Sequence, residues 1–269
     1  MAIKMILCDL DGTLYTSDKT ISERTIETIK KVREQGVIFG IASGRSCSFI
    51  RHHFTKMGLN DLIDVIVGDG GYGIDDALIS VDTQNYPLHY DVMRRIMDHF
   101  ASWNVTFGIP IGQELVFSED SDIIRHVTSI NKYPYSVRDF NELIKEEATK
   151  FCVFCWEKDL DAVEEHATHL DLSDLNAYFV RSGPYLIEYA DTHVTKDQGI
   201  ARLLEAHHLS LDELMVFGDA DNDYGMINYA KYGIVMANGT EHTKSVAYDT
   251  TLDNDHDGVA DYIEKHVLK

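Results

Sequence analysis

The amino-acid sequence predicts an α/β fold in which a parallel sheet wound with helices is interrupted by an inserted α+β unit. Three observations predict it. Short apolar runs recur at Ile3 to Leu7, Val37 to Ala42, Val65 to Val67 and Leu214 to Phe217, the pattern of parallel strands buried on both faces. Helical periodicity separates the first three. Past about Thr83 the rhythm changes, and it resumes only near Tyr185.

The first run leads directly into Asp9-Leu10-Asp11-Gly12-Thr13-Leu14. Two carboxylates two residues apart lie where the strand is ending, and Gly12 lets the backbone turn sharply. One of them can face a metal and a substrate while the other points beside it. Such charge density calls for a counter-ion. Ile26, Ile29 and Val32 then recur at helical spacing until Gly36 stops that helix. The next strand, Val37 to Ala42, ends in Ser43-Gly44-Arg45, and a helix carrying Phe49, Ile50, Phe54 and Met57 follows. Taken alone, Ser43 reads as an ordinary N-cap. Val65-Ile66-Val67 leads into the turn Gly68-Asp69-Gly70-Gly71.

In the middle portion Met93, Ile96, Met97 and Phe100 mark an amphipathic helix, and two short strands follow at Thr106-Phe107 and Leu115 to Phe117. Further helices are expected from Ile123 to Ile130, near Leu143, and over Leu160, Val163, Ala167 and Leu170. Strands are expected at Phe151 to Trp156 and at Tyr178-Phe179-Val180. The joins are placed near residues 83 and 187, giving a core of 1–82 with 188–269 and an inserted unit of 83–187.

The wound pattern is read as resuming at Tyr185 to Tyr189. Lys196 then opens a helix bearing Ile200, Leu203 and Leu204, where helix amides and an ammonium can together hold an anion. Leu214 to Phe217 ends in Gly218-Asp219-Ala220-Asp221-Asn222-Asp223, acid-rich at a strand's end like the first motif. Ile234 to Met236 makes a last strand and Ala260 to Lys269 a closing helix. Parallel packing brings the strand ends to one edge of the sheet, so Asp9, Asp11, Ser43, Lys196, Asp219 and Asp223 are expected to converge.

A formal charge of −21 over 269 residues opposes nucleic acid or an anionic membrane as partner, yet a metal or a local lysine can still admit a small anion. The 44% apolar content supports a full core. No apolar run has the length of a membrane span and no signal-peptide pattern stands at the start, so a cytoplasmic location is the default expectation. Cys8, Cys47, Cys152 and Cys155 are too few for a disulfide framework. The C-x-x-C of Cys152 and Cys155 lies in a strand, where odd spacing sends the thiols to opposite faces. They read as buried structural thiols.

The order D-x-D-G-T, then a strand ending in Ser-Gly, then Lys, then G-D-x-x-N-D resembles the haloacid dehalogenase superfamily. The position of the insertion and the closing Asn254-Asp255-His256-Asp257-Gly258-Val259-Ala260 resemble its Cof-type, C2-capped sugar-phosphate phosphatases. The resemblance implies a Rossmann-like core and a cap domain that closes over the site. It implies that Asp9 is the nucleophile forming an aspartyl-phosphate, and that Asp11 protonates the leaving group and then helps activate water. Mg²⁺ is implied on Asp9, the Asp11 backbone carbonyl and Asp219, with Asp223 in support. Phosphate contacts are implied from the Leu10 to Gly12 amides, Ser43, Gly44, Lys196 and Asn222. The implied substrate is a small phosphorylated metabolite, such as a sugar phosphate or a flavin-type or pyridoxal-type phosphate. Three departures bear on loop shape and substrate choice: Asp69-Gly70-Gly71 in place of the commoner Asn-Gly-Ala, Met236-Ala237-Asn238-Gly239 in place of Met-Gly-Asn-Ala, and Asp197 after Lys196 where glycine is usual.

Three alternatives accompany this reading, one of them a non-catalytic sensor of phosphorylated metabolites, disfavoured because every reactive position is filled. A phosphomutase would use the same aspartyl-phosphate. Separately, Asp253-x-Asp255-x-Asp257-Gly258-x5-Glu264 satisfies the EF-hand calcium-loop pattern. Against it, the turn-like Asp249-Thr250-Thr251-Leu252 supplies no entering helix and no second loop pairs with it; acids capping the final helix explain the same letters.

Overall fold

The computed structural model describes residues 3–79, 86–112, 114–131 and 134–268. Its first part runs β1 (Met5–Cys8), α1 (Glu23–Glu34), β2 (Ile38–Ala42), α2 (Cys47–Lys56), β3 (Val65–Gly68) and β4 (Gly73–Asp76). All four residues of β1 are buried, because the strand serves two cores. Met5 and Leu7 enter a cluster with Ile200, Leu203 and Val216, while Ile6 and Cys8 enter another with Ile29, Phe39, Phe54 and Phe217. A strand covered on both faces needs a continuous apolar run, which is what the sequence supplies. α1 buries Ile29 and Val32 and is capped by Ser22, whose side chain accepts from the Thr25 amide.

The middle of the chain contains α3 (Tyr90–His99), β5 (Thr106–Ile111), β6 (Glu114–Phe117), α4 (Asp122–Asn131), β7 (Tyr135–Val137), α5 (Phe140–Leu143), β8 (Phe151–Phe154), α6 (Glu157–Ala167), β9 (Ala177–Arg181) and β10 (Leu186–Asp191). The last part contains α7 (Lys196–Ala206), β11 (Leu214–Gly218), α8 (Tyr224–Tyr229), β12 (Tyr232–Val235), α9 (Glu241–Lys244), β13 (Asp249–Thr250) and α10 (Gly258–His266). Two compact units result: Met1–Gln84 with Thr195–Lys269, and Asn85–Val194.

In the first unit seven strands are ordered β13-β12-β11-β1-β2-β3-β4. Neighbours run parallel except β4, which is antiparallel to β3. Register matters for the site. Cys8 stands opposite both Ile41 and Phe217, so Asp9, Ser43 and Asp219 emerge at one edge of the sheet. The ladder carries on into that edge: the Asp9 amide donates to the Phe217 carbonyl and the Ser43 amide to the Val67 carbonyl, each at 2.9 Å.

The second unit is a six-stranded sheet ordered β7-β6-β5-β8-β10-β9, antiparallel except for β6 and β7. α3 and α6 pack Val92, Ile96, Leu160 and Val163 with Phe151, Val153 and Ile187 of the sheet. Cys152 and Cys155 fall in different apolar clusters, as opposite faces require, and all four cysteines are free thiols.

One boundary is corrected. Tyr185 to Tyr189, read from the sequence as the return of the parallel sheet, belongs to β10 and its approach, and β10 pairs antiparallel with β8 and β9. Residues 188–194 therefore lie in the second unit. The run itself carries the physical reason: buried Ile187 and Tyr189 flank the half-buried Glu188, the alternation of an antiparallel strand rather than the unbroken apolarity of β1 or β11. The other join, expected near residue 83, lies outside the described residues. Among the described residues no helix is long and apolar enough to cross a membrane.

Candidate active site

The carboxyl edge of the first unit's sheet gathers charge from three stretches of chain. Asp9 follows β1, Lys196 is the first residue of α7, and Asp219 and Asp223 follow β11. Lys196 Nζ lies 2.6 Å from Asp9 Oδ1 and 2.6 Å from Asp223 Oδ1. The second Asp223 oxygen accepts from the backbone amides of Asp219 and Ala220 at 2.9 and 3.1 Å. Asp223 thus ties the lysine to the loop that carries Asp219. Thr13 donates its hydroxyl to Asp219 Oδ1 at 2.7 Å, joining the end of the first motif to the second acidic loop.

Two glycines permit these approaches. Gly12 has φ +86°, and a Cβ there would collide with the Asp219 carboxylate. Gly71 has φ +114°, and a Cβ there would collide with the Thr195 carbonyl at the start of α7. Glycine in place of the commoner alanine at 71 therefore sets how closely the turn after β3 approaches the helix that presents Lys196. Thr195 caps that helix, its side chain accepting from the Gln198 amide.

Electrostatics follow from burial. Asp9 and Lys196 are each less than a tenth exposed and Asp223 is fully buried. Burial pushes the Asp9 carboxyl up to about 8 against the pull of Lys196, and Asp223 and Asp219 add to the rise. Asp219 is pushed up to about 6, chiefly by burial and then by Asp223, while the Thr13 hydrogen bond opposes. Burial works against the Lys196 charge too, but Asp223 and Asp9 outweigh it and hold the ammonium above the usual lysine range. Three carboxylates share one ammonium here, leaving negative charge that a further cation would balance.

Carboxylate oxygens of Asp9, Asp219 and Asp223 lie within 4.8 Å of one another. A compact all-oxygen set of this kind suits a hard divalent ion such as Mg²⁺. Asp223 is the least open of the three, since both its oxygens are already bonded.

Asp11 is placed differently. Its carboxylate accepts from Arg45 Nε at 2.7 Å and from Lys19 Nζ at 2.7 Å. Burial would raise its carboxyl, but Arg45 and then Lys19 outweigh burial and hold it below the usual carboxylate range. Arg45 also lies over the Phe49 ring, 5.1 Å from its centroid.

The remaining expected residues sit around this edge. Ser43 is buried, with its carbonyl accepting from the Gly70 amide at 3.0 Å and its hydroxyl from the Arg45 amide at 3.3 Å. Gly44 is half-buried beside it. Leu10 is buried and its carbonyl accepts from Tyr15 at 2.8 Å. Asn222 is half-buried in the turn Asp221–Asp223. Sequence reasoning gave no role to Thr13, Lys19, Arg45 or Asn238, although Asn238 donates to the Gly12 carbonyl at 2.9 Å. Thr13 and Arg45 stand inside or beside the recognised motifs. Lys19 carries no such signal, because its approach to Asp11 depends on the turn between them, in which the Lys19 amide donates to the Thr16 carbonyl.

The EF-hand alternative fails on geometry. A two-residue strand, β13, precedes the loop where a helix is required. Glu264 is held by Arg24 at 2.6 Å and Thr28 at 2.7 Å, and Asp255 by the Ser17 amide and hydroxyl at 2.8 and 2.6 Å. The acids also do not cap α10 as expected: Asp253 caps the short turn Asn254–His256, and no side chain caps α10.

The family model described as haloacid dehalogenase-like hydrolase matches residues 6–263. The chain belongs to this family. A relative from Bacillus subtilis, named 5-amino-6-(5-phospho-D-ribitylamino)uracil phosphatase YitU, is 28% identical over 272 residues and covers 97% of each chain. Among solved structures, a haloacid dehalogenase-like hydrolase from Bacteroides thetaiotaomicron superposes with a TM-score of 0.82 at 28% identity, covering 98% of this chain and 99% of that one. A subclass IIB sugar phosphatase of the same superfamily, BT4131, gives a TM-score of 0.84 at 19% identity over 99% and 100% of the two chains, a likeness of fold alone.

Proposed function

We propose that this family member is a Mg²⁺-dependent phosphatase that releases phosphate from small phosphorylated metabolites through an aspartyl-phosphate on Asp9. The observation that carries the reading is the meeting of Asp9, Lys196, Asp223 and Asp219 at the carboxyl edge of a parallel sheet, where this class of fold binds its ligands.

Lys196 bonds Asp9 Oδ1, which orients the other carboxylate oxygen for attack on phosphorus. In the first step that oxygen forms a bond to phosphorus and the bond to the ester oxygen breaks. In the second, water attacks the phosphorus, the Asp9 ester bond breaks, and inorganic phosphate leaves with Asp9 restored. Lys196, the amides of Leu10 to Gly12, Ser43 with Gly44, and Asn222 bind the phosphoryl oxygens. Asp9, Asp219 and the Asp11 carbonyl would hold Mg²⁺, with Asp223 fixing the Asp219 loop; when bound, the ion offsets the repulsion between the Asp9 carboxylate and the phosphoryl group.

Asp11 supplies the leaving oxygen's proton and later receives one from water. Bonded to Arg45 and Lys19 it is held as a carboxylate, so acid duty requires it to leave both cations and take up a proton from solvent before the ester bond breaks. The name of the Bacillus subtilis relative directs attention to ribityl-linked uracil phosphates as substrates. Four unpaired thiols suit a reducing compartment and support a cytoplasmic location.

The test is phosphate release across a panel of phosphomonoesters with Mg²⁺, comparing wild type with Asp9→Asn. Release by the wild type and its loss in the variant are expected; equal release by both would refute the nucleophile. Glucose 1-phosphate converted to the 6-phosphate without free phosphate would establish the mutase instead.

A further inference from the structure

The second unit leaves one edge of its sheet unguarded. β7 (Tyr135–Val137) is the last strand at that edge and runs parallel to β6, with Tyr135 level with Leu115 and Val137 level with Phe117. The Leu115 amide donates to the Pro134 carbonyl at 3.1 Å and the Arg138 amide to the Phe117 carbonyl at 3.0 Å. Backbone groups of alternate residues point the same way, so Pro134, Ser136 and Arg138 direct theirs to β6 while Tyr135 and Val137 turn theirs outward. No strand lies on that outer side among the described residues.

Exposed strand edges are ordinarily blunted by lysine, proline or a bulge. β7 contains neither lysine nor proline, its pairing with β6 has no bulge, and Pro134 lacks its donor on the inward side only. Apolar side chains meet water beside the edge: Tyr135 is 38% exposed and Val137 45%. Ile130 is 51% exposed, although it continues the α4 stripe of buried Ile123 and Val127. Tyr135 packs edge-on against Phe117, with centroids 5.9 Å apart, which puts this patch on the face that α4 covers. On the opposite face the Ser136 hydroxyl is buried and bonds nothing among the described residues.

We propose that β7 pairs antiparallel with β7 of a second copy of this chain, about a two-fold axis at Ser136. The register is self-complementary. Tyr135 of each copy stands opposite Val137 of the other, and in both pairs the outward amides and carbonyls exchange hydrogen bonds. An aromatic against a β-branched side chain is a favourable cross-strand match. The two Ser136 residues form the pair between them, with Cα atoms about 4.5 Å apart, and each hydroxyl gains the partner it lacks. Charge agrees with this register. Arg138 comes level with Pro134 of the second copy, and Glu114 of that copy stands one strand beyond on the same face. Strands lie about 4.8 Å apart, so an arginine and a glutamate span that gap; within its own chain Arg138 already reaches Glu114 at 2.5 Å from farther along the strand. The charge of −21 per chain opposes association, and a three-residue strand offers a small contact, so this dimer belongs to the weak class of interfaces.

Sedimentation equilibrium of the full chain, at about 0.1 mM and about 0.15 M salt to screen long-range repulsion, should show a monomer–dimer equilibrium. Val137→Pro removes an outward donor from each copy and leaves the bonds to β6 in place. It should weaken association at least about tenfold, the size of two lost backbone hydrogen bonds. Charge reversal tests the register without touching the backbone, and decides it even where proline perturbs the strand. Arg138→Glu and Glu114→Arg each set like charges together, within the chain and across the axis, so each variant alone should be monomeric. Mixed in equal amounts they should form a heterodimer, because arginine then meets glutamate across the axis twice while the pair inside each chain stays mismatched. A wild-type chain that is monomeric throughout, association untouched by Val137→Pro, or a mixture no more dimeric than its components overturns the proposal.

Discussion

Lys196 Nζ touches Asp9 Oδ1 at 2.6 Å although 187 positions separate the two residues. The ammonium also holds Asp223 at 2.6 Å, and all three groups are shielded from water. Removing the cation leaves two buried carboxylates facing each other, and breaking a buried pair of this kind costs about 3–5 kcal/mol. Lys196→Met is therefore expected to lower unfolding free energy by roughly that amount and to abolish phosphate release. Denaturant titration measures the first; an unchanged midpoint would show that the ion pairs contribute nothing to stability.

Metal affinity should depend on pH. In the metal-free protein the Asp9 carboxyl is raised to about 8 and that of Asp219 to about 6. A carboxyl raised on folding binds more protons folded than unfolded, so these groups lower stability as pH rises from the unfolded range near 4 through those values. A divalent ion must displace the same protons. Calorimetric Mg²⁺ affinity should therefore rise about tenfold per unit between roughly pH 6 and 8, with proton release on binding. The rise in melting temperature on adding Mg²⁺ should be larger at pH 8 than at pH 6. A pH-independent affinity would contradict both assignments.

Gly12 and Gly36 offer a matched pair. Both have positive φ, +86° and +82°, but a Cβ at Gly12 meets the Asp219 carboxylate whereas one at Gly36 has nothing within 4 Å. Gly36→Ala should cost only the backbone strain, about 1 kcal/mol. Gly12→Ala should cost more and also displace Asp219, weakening Mg²⁺ binding at least about tenfold. Equal metal affinity in the two variants would mean that Asp219 is not a ligand.

Calcium provides a negative control. Glu264 is bonded to Arg24 and Thr28, so Glu264→Gln should remove about 1 kcal/mol of stability through those lost contacts. No micromolar Ca²⁺ binding at the Asp253 to Glu264 loop is expected in either protein. Calorimetry showing such binding in the wild type and its loss in the variant would reinstate the calcium loop.

Much of the core was legible because its physical cause is local. An unbroken apolar run such as Met5 to Cys8 permits burial on both faces, and acids or glycines placed just after it mark the carboxyl edge. Tyr185 to Tyr189 was misassigned although its alternation was visible, because a short apolar stretch was weighed by its neighbours in sequence rather than by Glu188 within it. Thr13 and Arg45 lay in plain view beside the motifs, but a hydroxyl's or guanidinium's partner depends on which loop folds across it.

By itself, then, the sequence determined the alternation of strands and helices, the inserted unit, the edge at which chemistry-bearing residues emerge, and which acids stand there. Strand periodicity and local turn chemistry suffice for that, since both act over a few residues. The tertiary structure alone decided that Asp223 is fully bonded behind Asp219, that Asp11 is held by Arg45 and Lys19, that β10 joins the second sheet, and that Glu264 is engaged by Arg24 and Thr28. Each of these turns on partners that only the folded chain brings within reach, whether shielded from water as at Asp223 or partly open to it as at Asp11 and Glu264.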